Sequence, residues 1–477
     1  MGAGIAQVAA QAGHSVVVFD RDDDALNRGR ASIEKGVAAL LKRGKIDAAE
    51  AAAMPARIVW TTSSYELKPA ALVIEAIIED PGVKADLFAT LEGILSEGTV
   101  IATNTSSLSV TMLAATLKKP AQFLGLHFFN PAPIMKLVEI VSGAVTDKDI
   151  ANAAYDLMTS WGKKAVHAKD VPGFIVNRVA RPYYAEGWRA YEEQAASAAT
   201  IDFLYRELAG FRMGPLELGD LIGHDINSAA AKSVYHAYYG RTRFTPSLAQ
   251  DMLVQSGRLG RKSGAGVYSY ADNAPSPAPI FADADDETVL SAELDGETID
   301  LMTLIKSGDL SLERLAASPV NDGVVVNGVC FAFSDGKTAR EHARSLGMPV
   351  VLFDWLADLS KTDVMAFAAS CDSAAAIAAP FLKLLGKRSV RIKDRPGLIV
   401  LRTLAQLANC ATDAVRDCVA DGASIDVAMR AGVNYPFGPI EWAKQFGPDK
   451  LVDTLTNIAD TTGEAIYWPN EVMKNLD

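Results

Sequence analysis

The chain has 477 residues, 49% hydrophobic and 22% charged, which is enough material for about three domains with separate cores. Its net charge of −12 disfavours phosphate backbones and anionic lipid, so nucleic acid is not an expected partner, and no apolar run is long enough to suggest a membrane span. The cysteines Cys330, Cys371, Cys410 and Cys418 show neither metal-ligand spacing nor a C-x-x-C pair, which fits a reduced, cytoplasmic setting, and the opening residues carry no targeting segment.

Residues 2 to 20 read as a Gly-rich helix start, an Ala-rich helix that stops at Ala12-Gly13-His14, and a buried strand, Ser15-Val16-Val17-Val18-Phe19-Asp20. This is the back half of a βαβ unit. The apolar strand and first two glycines that open a G-x-G-x-x-G unit do not occur in the sequence, which therefore reads as truncated at its N-terminus. Gly2 takes the place of the third glycine, beside a pyrophosphate, and Asp20 that of the acid that accepts from the adenosine ribose. A 2′-phosphate beside Asp20 would be repelled, so the expected cofactor is NAD; Arg21 and the acids after it, Asp22, Asp23 and Asp24, read as a solvated turn.

Further strands are predicted at Ala71–Ala76 and Val100–Asn104, separated by helical stretches, as in a doubly wound α/β sheet. Ligands of such sheets bind at the carboxyl edge of the strands. Glu79 and Lys84 fall just past the first strand and Asn104 ends the second, so these three join Gly2 and Asp20 as cofactor-binding candidates.

Three segments then stand out: Asn104-Thr105-Ser106-Ser107-Leu108, Leu124-Gly125-Leu126-His127-Phe128-Phe129-Asn130-Pro131, and Asp170-Val171-Pro172-Gly173-Phe174-Ile175-Val176-Asn177-Arg178. In order and spacing, and with Glu139 twelve residues after His127, they resemble the 3-hydroxyacyl-CoA dehydrogenase family over residues 2 to about 270. The resemblance implies a Rossmann-like dinucleotide-binding domain over 1–170, an all-α domain over 171–270, and NAD-dependent oxidation of a 3-hydroxyacyl-CoA.

Oxidising a secondary alcohol expels a hydride while the hydroxyl proton leaves, and that proton needs a base with a pKa near neutrality. His127 suits the task. Glu139, on the far ring nitrogen, would fix the tautomer and stabilise the imidazolium. The resemblance places Ser106 and Asn177 on the substrate oxygens, and Pro172-Gly173 after Asp170 reads as a capped helix start. Gly260–Tyr268 closes the region as a Gly-rich turn, and its basic residues stay outside the expected site.

Beyond a Pro-rich linker at 271–285, the chain repeats itself. Gly162-Lys163, Asp170, Pro172-Gly173, Arg178 and Gly214-Pro215 recur at Gly386-Lys387, Asp394, Pro396-Gly397, Arg402 and Gly438-Pro439, a constant shift of 224. At that shift His127 falls on Val351 and Asn177 on Leu401, so the second copy lacks the chemistry. The expected architecture is α/β: the Rossmann-like and all-α pair, then a reduced Rossmann-like domain over 286–391, with strands at Gly323–Val326 and Pro349–Phe353, and a second all-α domain over 392–477.

This order resembles the long bacterial members of the family, with 3-hydroxybutyryl-CoA or 3-hydroxyadipyl-CoA as substrates that the family context suggests. The second helical copy, with Leu404, Leu407, Ala408, Ala411 and Val415 at helical spacing, is expected to pack on the first as an internal pseudo-dimer, a homo-oligomer being the alternative. Two competing readings are a hydroxyacid dehydrogenase with a lysine base, for which no suitably placed Lys competes with His127, and a non-catalytic binding or assembly protein.

Overall fold

The computed structural model describes residues 1–284, 288–294, 297–300 and 324–476. Gly323, and the parts of the linker and of the reduced domain at 285–287, 295–296 and 301–323, lie outside the described residues. The chain forms two compact units, Met1–Arg178 with Asp417–Val433, and Val179–Arg416 with Asn434–Asp477.

In the first unit, the Ala-rich helix Gly2–Gln11 buries Ala6 and Ala10 against Ile33, Val37, Met54 and Ile58, beside a parallel pair of strands, β1 (Val16–Phe19) and β2 (Ile58–Thr61). A five-stranded sheet follows in the order β3 (Leu72–Glu75), β4 (Val100–Thr103), β5 (Phe123–Phe128), β6 (Leu137–Ser142), β7 (Lys164–Lys169). β1 and β3 belong to separate sheets, and their residues are mostly half-buried, whereas β5 is buried along its whole length.

The sheet is mixed, because β5 and β6 run antiparallel. A right-handed parallel crossover needs a dozen or more residues, and the connection from Phe129 to Lys136 is too short for one. The hairpin-like return sets His127 directly opposite Glu139.

The cap ahead of Asn177 differs from the sequence expectation. Asp170 turns away from the helix Val176–Val179 and accepts from Ser109 Oγ and the amides of Val110 and Thr111, at the start of the helix Val110–Ala114. Glu139 accepts the amides of Ile175 and Val176 in its place. Chain 417–433 completes this unit: its helix Gly422–Val433 packs on β6 and β7, and Val419 accepts from the Lys169 amide at 2.9 Å.

The second unit holds helices from both helical stretches and a seven-stranded sheet, ordered β14 (Arg388–Arg391), β13 (Val364–Ala369), β12 (Val350–Phe353), β11 (Val329–Phe333), β10 (Val324–Val326), β8 (Ser291–Leu294), β9 (Glu297–Asp300). The helix Val400–Arg416 lies against Arg181–Glu192, its own counterpart in the repeat. Every residue from Val400 to Ala414 is buried, so the apolar stripe read from Leu404 to Val415 is one side of a helix covered all round.

The repeat extends to backbone conformation. Phe174 and Gln194 adopt left-handed conformations, and so do Leu398 and Cys418, 224 residues on. Contacts recur with the partners exchanged: the Lys169 amide donates to Val419 in the first unit, and the Lys393 amide donates to Ala195 in the second. Likewise Arg178 pairs with Asp417, and Arg402 with Glu193.

Register corrects the sequence alignment of the two sheets. Glu139 pairs with Val166, and Ala366 pairs with Val390, the counterpart of Val166 in the repeat. The Asp354 amide donates to Ala366 at 3.0 Å, so Asp354, not Val351, occupies the place of His127, and Ala366 that of Glu139. The shift of 224 holds in the helical repeat, while these strands sit three residues further on.

Candidate active site

His127 and Glu139 are buried, at 6% and 0% exposure, and His127 Nδ1 lies 2.5 Å from Glu139 Oε2. A carboxylate can only accept here, so the geometry places the proton on Nδ1 and leaves the Nε2 lone pair free. Among the described residues Nε2 has no hydrogen-bond partner. The rings of Phe129 and Phe174 flank the imidazole at 4.5 and 5.7 Å.

Glu139 has a second task. Its Oε1 accepts the amides of Ile175 and Val176, both at 3.0 Å, two of the donors that the start of the next helix leaves without an internal partner. The same carboxylate therefore aims His127 and fixes the turn that presents Asn177. The Asn177 side chain is half-buried and unpartnered among the described residues.

Ser106 is exposed at the end of β4, and its amide donates to Glu79 Oε1 at 3.0 Å. That oxygen also accepts from Thr105 Oγ1 at 2.6 Å and from the amide and hydroxyl of Ser107. Burial alone would raise the Glu79 pKa, but these donors and Lys84 hold it below the usual range.

Lys84 is 1% exposed and bridges Glu75 Oε1 at 2.6 Å and Glu79 Oε2 at 3.3 Å. Glu75 further accepts from Thr103 Oγ1 and the Ile77 amide, both at 2.6 Å. Sequence reasoning did not single out Glu75, the acid that anchors Lys84; an acid ending an apolar strand, nine residues before a lysine, is the signal it offered. Asn104 Oδ1 accepts the Phe128 amide at 2.8 Å, tying the end of β4 to the residue beside His127.

Hydrogen bonds thus join His127 to Glu139, Asn104 to β5, and Ser106 to Glu79 and Lys84. Gly2 and Asp20 lie apart from this network. Asp20 ends β1, half-buried, with its carboxylate on the Asp22 amide, while Gly2 begins the helix Gly2–Gln11.

The residues present fit a dinucleotide. The helix Gly2–Gln11 starts without a side-chain cap or an acid in its first turn, which leaves amides free for a pyrophosphate. A Cβ on Gly4 would meet Pro133 Cδ at 3.2 Å, so the loop after His127 approaches this helix closely where no side chain intervenes. Lys163, its pKa pushed down to about 8 by burial, holds that loop through the carbonyls of Ala132 and Met135.

The Gly-rich turn at Gly260–Tyr268 is structural. Asp220 accepts from the amides of Val267 and Tyr268, the Tyr270 hydroxyl and buried His224, and Lys262 pairs with Asp225.

Family models place three descriptions along the chain. "3-hydroxyacyl-CoA dehydrogenase, NAD binding domain" matches residues 1–171, "3-hydroxyacyl-CoA dehydrogenase, C-terminal domain" matches 173–270 and again 397–477, and "3-hydroxybutyryl-CoA dehydrogenase reduced Rossmann-fold domain" matches 331–396. The chain is 41% identical over 474 residues to a 3-hydroxyadipyl-CoA dehydrogenase of Escherichia coli K12, covering 99% of this chain and 94% of the relative. It is 38% identical to a 3-hydroxybutyryl-CoA dehydrogenase of Clostridioides difficile, over 57% of this chain and 96% of that one.

A crystal structure described as 3-hydroxybutyryl-CoA dehydrogenase from Escherichia coli K12 superposes with a TM-score of 0.90 at 40% identity, covering 100% of this chain and 95% of that one. These matches set aside the non-catalytic reading. The chain belongs to the 3-hydroxyacyl-CoA dehydrogenase family and is an NAD-dependent oxidoreductase acting on a 3-hydroxyacyl-CoA.

Proposed function

We propose that a (3S)-3-hydroxyacyl-CoA is oxidised to the 3-oxoacyl-CoA with His127 as general base, Glu139 as the residue that orients and charges it, and Ser106 and Asn177 holding the substrate oxygens. The observation that carries this reading is the buried 2.5 Å contact that leaves only Nε2 of His127 open to an incoming hydroxyl. As the C–H bond breaks, Nε2 takes the hydroxyl proton and the imidazolium is stabilised by the Glu139 carboxylate. Bound NAD supplies the hydride acceptor.

Gly2 and Asp20 are read as the pyrophosphate and ribose contacts, with Asn104 at the nicotinamide end. Glu79 and Lys84 are read as the support of the loop that bears Ser106 and of the cofactor edge beside it. The four-segment domain scheme, the internal pseudo-dimer and the cytoplasmic setting belong to the same proposal. The last rests on four free thiols, and no helix among the described residues is long and apolar enough to cross a membrane.

The decisive measurement is NADH formation by the Ala variant at position 127. His127→Ala should lower kcat by roughly 10² to 10⁴. Unchanged turnover would remove His127 from its role.

The named relatives divide over the acyl group, one acting on 3-hydroxyadipyl-CoA and others on 3-hydroxybutyryl-CoA. Relatives named for either substrate match this chain along almost its whole length, the 3-hydroxyadipyl-CoA enzyme at 41% identity and the solved 3-hydroxybutyryl-CoA enzyme at 40%, and of the two we take the dicarboxylic substrate as the one to test first. A panel of 3-hydroxyacyl-CoAs followed by NADH absorbance tests it, and a kcat/KM highest for 3-hydroxybutyryl-CoA would reverse the preference.

A further inference from the structure

Lys163 lies in the turn between the helix Lys148–Ser160 and β7, is 8% exposed, and forms no ion pair among the described residues. Its Nζ donates instead to the carbonyls of Ala132 and Met135, at 2.5 and 2.9 Å. Both belong to the loop 129–136, which joins β5 to β6 just after His127. The ends of that loop are tied elsewhere: Asn104 accepts from the Phe128 amide, and the Lys136 carbonyl accepts from the Lys164 amide. Between them, at 130–135, every hydrogen bond that arrives from outside the loop, among the described residues, comes from Lys163.

The middle of the loop rests on the first turn of the helix Gly2–Gln11. Ala132 shares a core with Ile5 and Phe128, and a Cβ on Gly4 would stand 3.4 Å from Ala132 Cβ and 3.2 Å from Pro133 Cδ. The first internal bond of that helix runs from the Ile5 amide to the Met1 carbonyl, so the amides of Gly2, Ala3 and Gly4 have no acceptor within the helix. A small shift of the loop therefore presses on, or withdraws from, the turn that offers those amides. Burial alone pushes the Lys163 pKa down to about 8. The helix Gly2–Gln11 carries no charged side chain, and the ionisable groups of the other packed segments, Lys136 in the loop, Glu139 on β6, Asp156 on the preceding helix and Lys164 on β7 among them, contribute nothing to that shift.

We infer that Lys163 is a positioning residue for the cofactor: by holding the loop 130–135 against the first turn of the helix Gly2–Gln11, it sets the affinity for NAD. The inference rests on the reading of that helix start as the pyrophosphate contact. The repeat supplies a control. Lys387, 224 residues on, donates to the carbonyls of Leu359 and Thr362 at 2.9 and 2.5 Å, the same clamp in a copy whose sequence carries no Gly-rich nucleotide loop.

Lys163→Met keeps the apolar stem and leaves two carbonyls without their donor. Calorimetric titration with NAD should show Kd raised about tenfold, and the KM for NAD should rise in step while kcat at saturating NAD stays within about twofold. Lys163→Gln, which can still donate, should recover part of the affinity. In the wild type, NAD binding should weaken as pH rises through about 8, where the ammonium loses its proton, and that step should be absent in Lys163→Met. Lys387→Met should lower thermal stability to a comparable extent and leave the NAD affinity unchanged.

A wild-type Kd in Lys163→Met would overturn the inference, as would equal weakening of NAD binding in the two Met variants, which would mark a role in the fold alone, or an alkaline step that persists without Lys163. Should Lys163→Met fail to fold, Lys163→Gln carries the comparison, its Kd intermediate and its alkaline step gone. Gly2→Asp separates the inference from the reading beneath it, because a carboxylate beside the free amides should abolish NAD binding. Loss there with a wild-type Kd in Lys163→Met sinks the clamp alone, whereas unchanged NAD binding in Gly2→Asp overturns the pyrophosphate reading itself.

Discussion

Glu139 meets His127 with one oxygen and the amides of Ile175 and Val176 with the other, and substitution can separate its proposed catalytic role from its role in the fold. Glu139→Gln keeps an acceptor for the amides of Ile175 and Val176 but removes the charge that steadies an imidazolium, so kcat should fall by about 10²-fold or more with only a small loss of stability. Glu139→Ala also leaves two buried amides unmade, at about 1–3 kcal/mol each. Steady-state NADH formation beside urea denaturation separates these effects, and wild-type kcat in the Gln variant would refute the assignment. The pair was readable from sequence because a histidine and an acid at fixed spacing sit inside two further motifs. Glu75 was not: its role depends on Lys84 folding back from the next helix into a buried ion pair, a tertiary fact that strand-end chemistry does not announce.

At the scale of elements, the two sheets solve one capping problem in two ways. In the first, Glu139 on β6 reaches the amides ahead of Asn177. In the second, Asp354, at the position of His127, accepts the amides of Ile399, Val400 and Leu401 at 2.8–3.0 Å, and Ala366 leaves room where the glutamate would stand. In the second sheet the carboxylate sits one strand over, the amides stay capped, and the histidine proposed as base has no counterpart. Sequence comparison caught the missing histidine but not its replacement, because only hydrogen-bond register reveals a three-residue slip between strands that share no motif.

Helix capping also creates a pH dependence. Asp202 accepts the Leu216 and Glu217 amides and the Tyr268 hydroxyl, and burial pushes its pKa up to about 7 in spite of them. Its unfolded value is about 3.9, so between those limits the folded state holds a proton that the unfolded chain releases. That stabilisation is complete below about pH 4 and is lost as pH rises toward 7, by on the order of 1 kcal/mol per pH unit. Asp202→Asn should flatten the decline in unfolding free energy between pH 4 and 7, and an unaltered slope would exclude Asp202 as its source.

Across the whole molecule, the repeat exchanges parts as well as duplicating them: residues 417–433, from the second helical stretch, complete the unit that holds His127. This makes a prediction that no reading of the catalytic half alone would make. Gly432 ends the helix on β6 and β7, and a Cβ there would stand 2.5 Å from Leu137 Cδ2 and 3.2 Å from Val176 Cγ2, in the strand that carries Glu139 and the turn that carries Asn177. Gly432→Leu overfills this contact. It should cost about 1–3 kcal/mol in stability and displace Asn177, so that kcat/KM falls several-fold although the substitution lies 255 residues along the chain from Asn177. Thermal unfolding with parallel NADH assays gives the answer. Wild-type values for both would mean that the second helical repeat rides on the catalytic unit without shaping it.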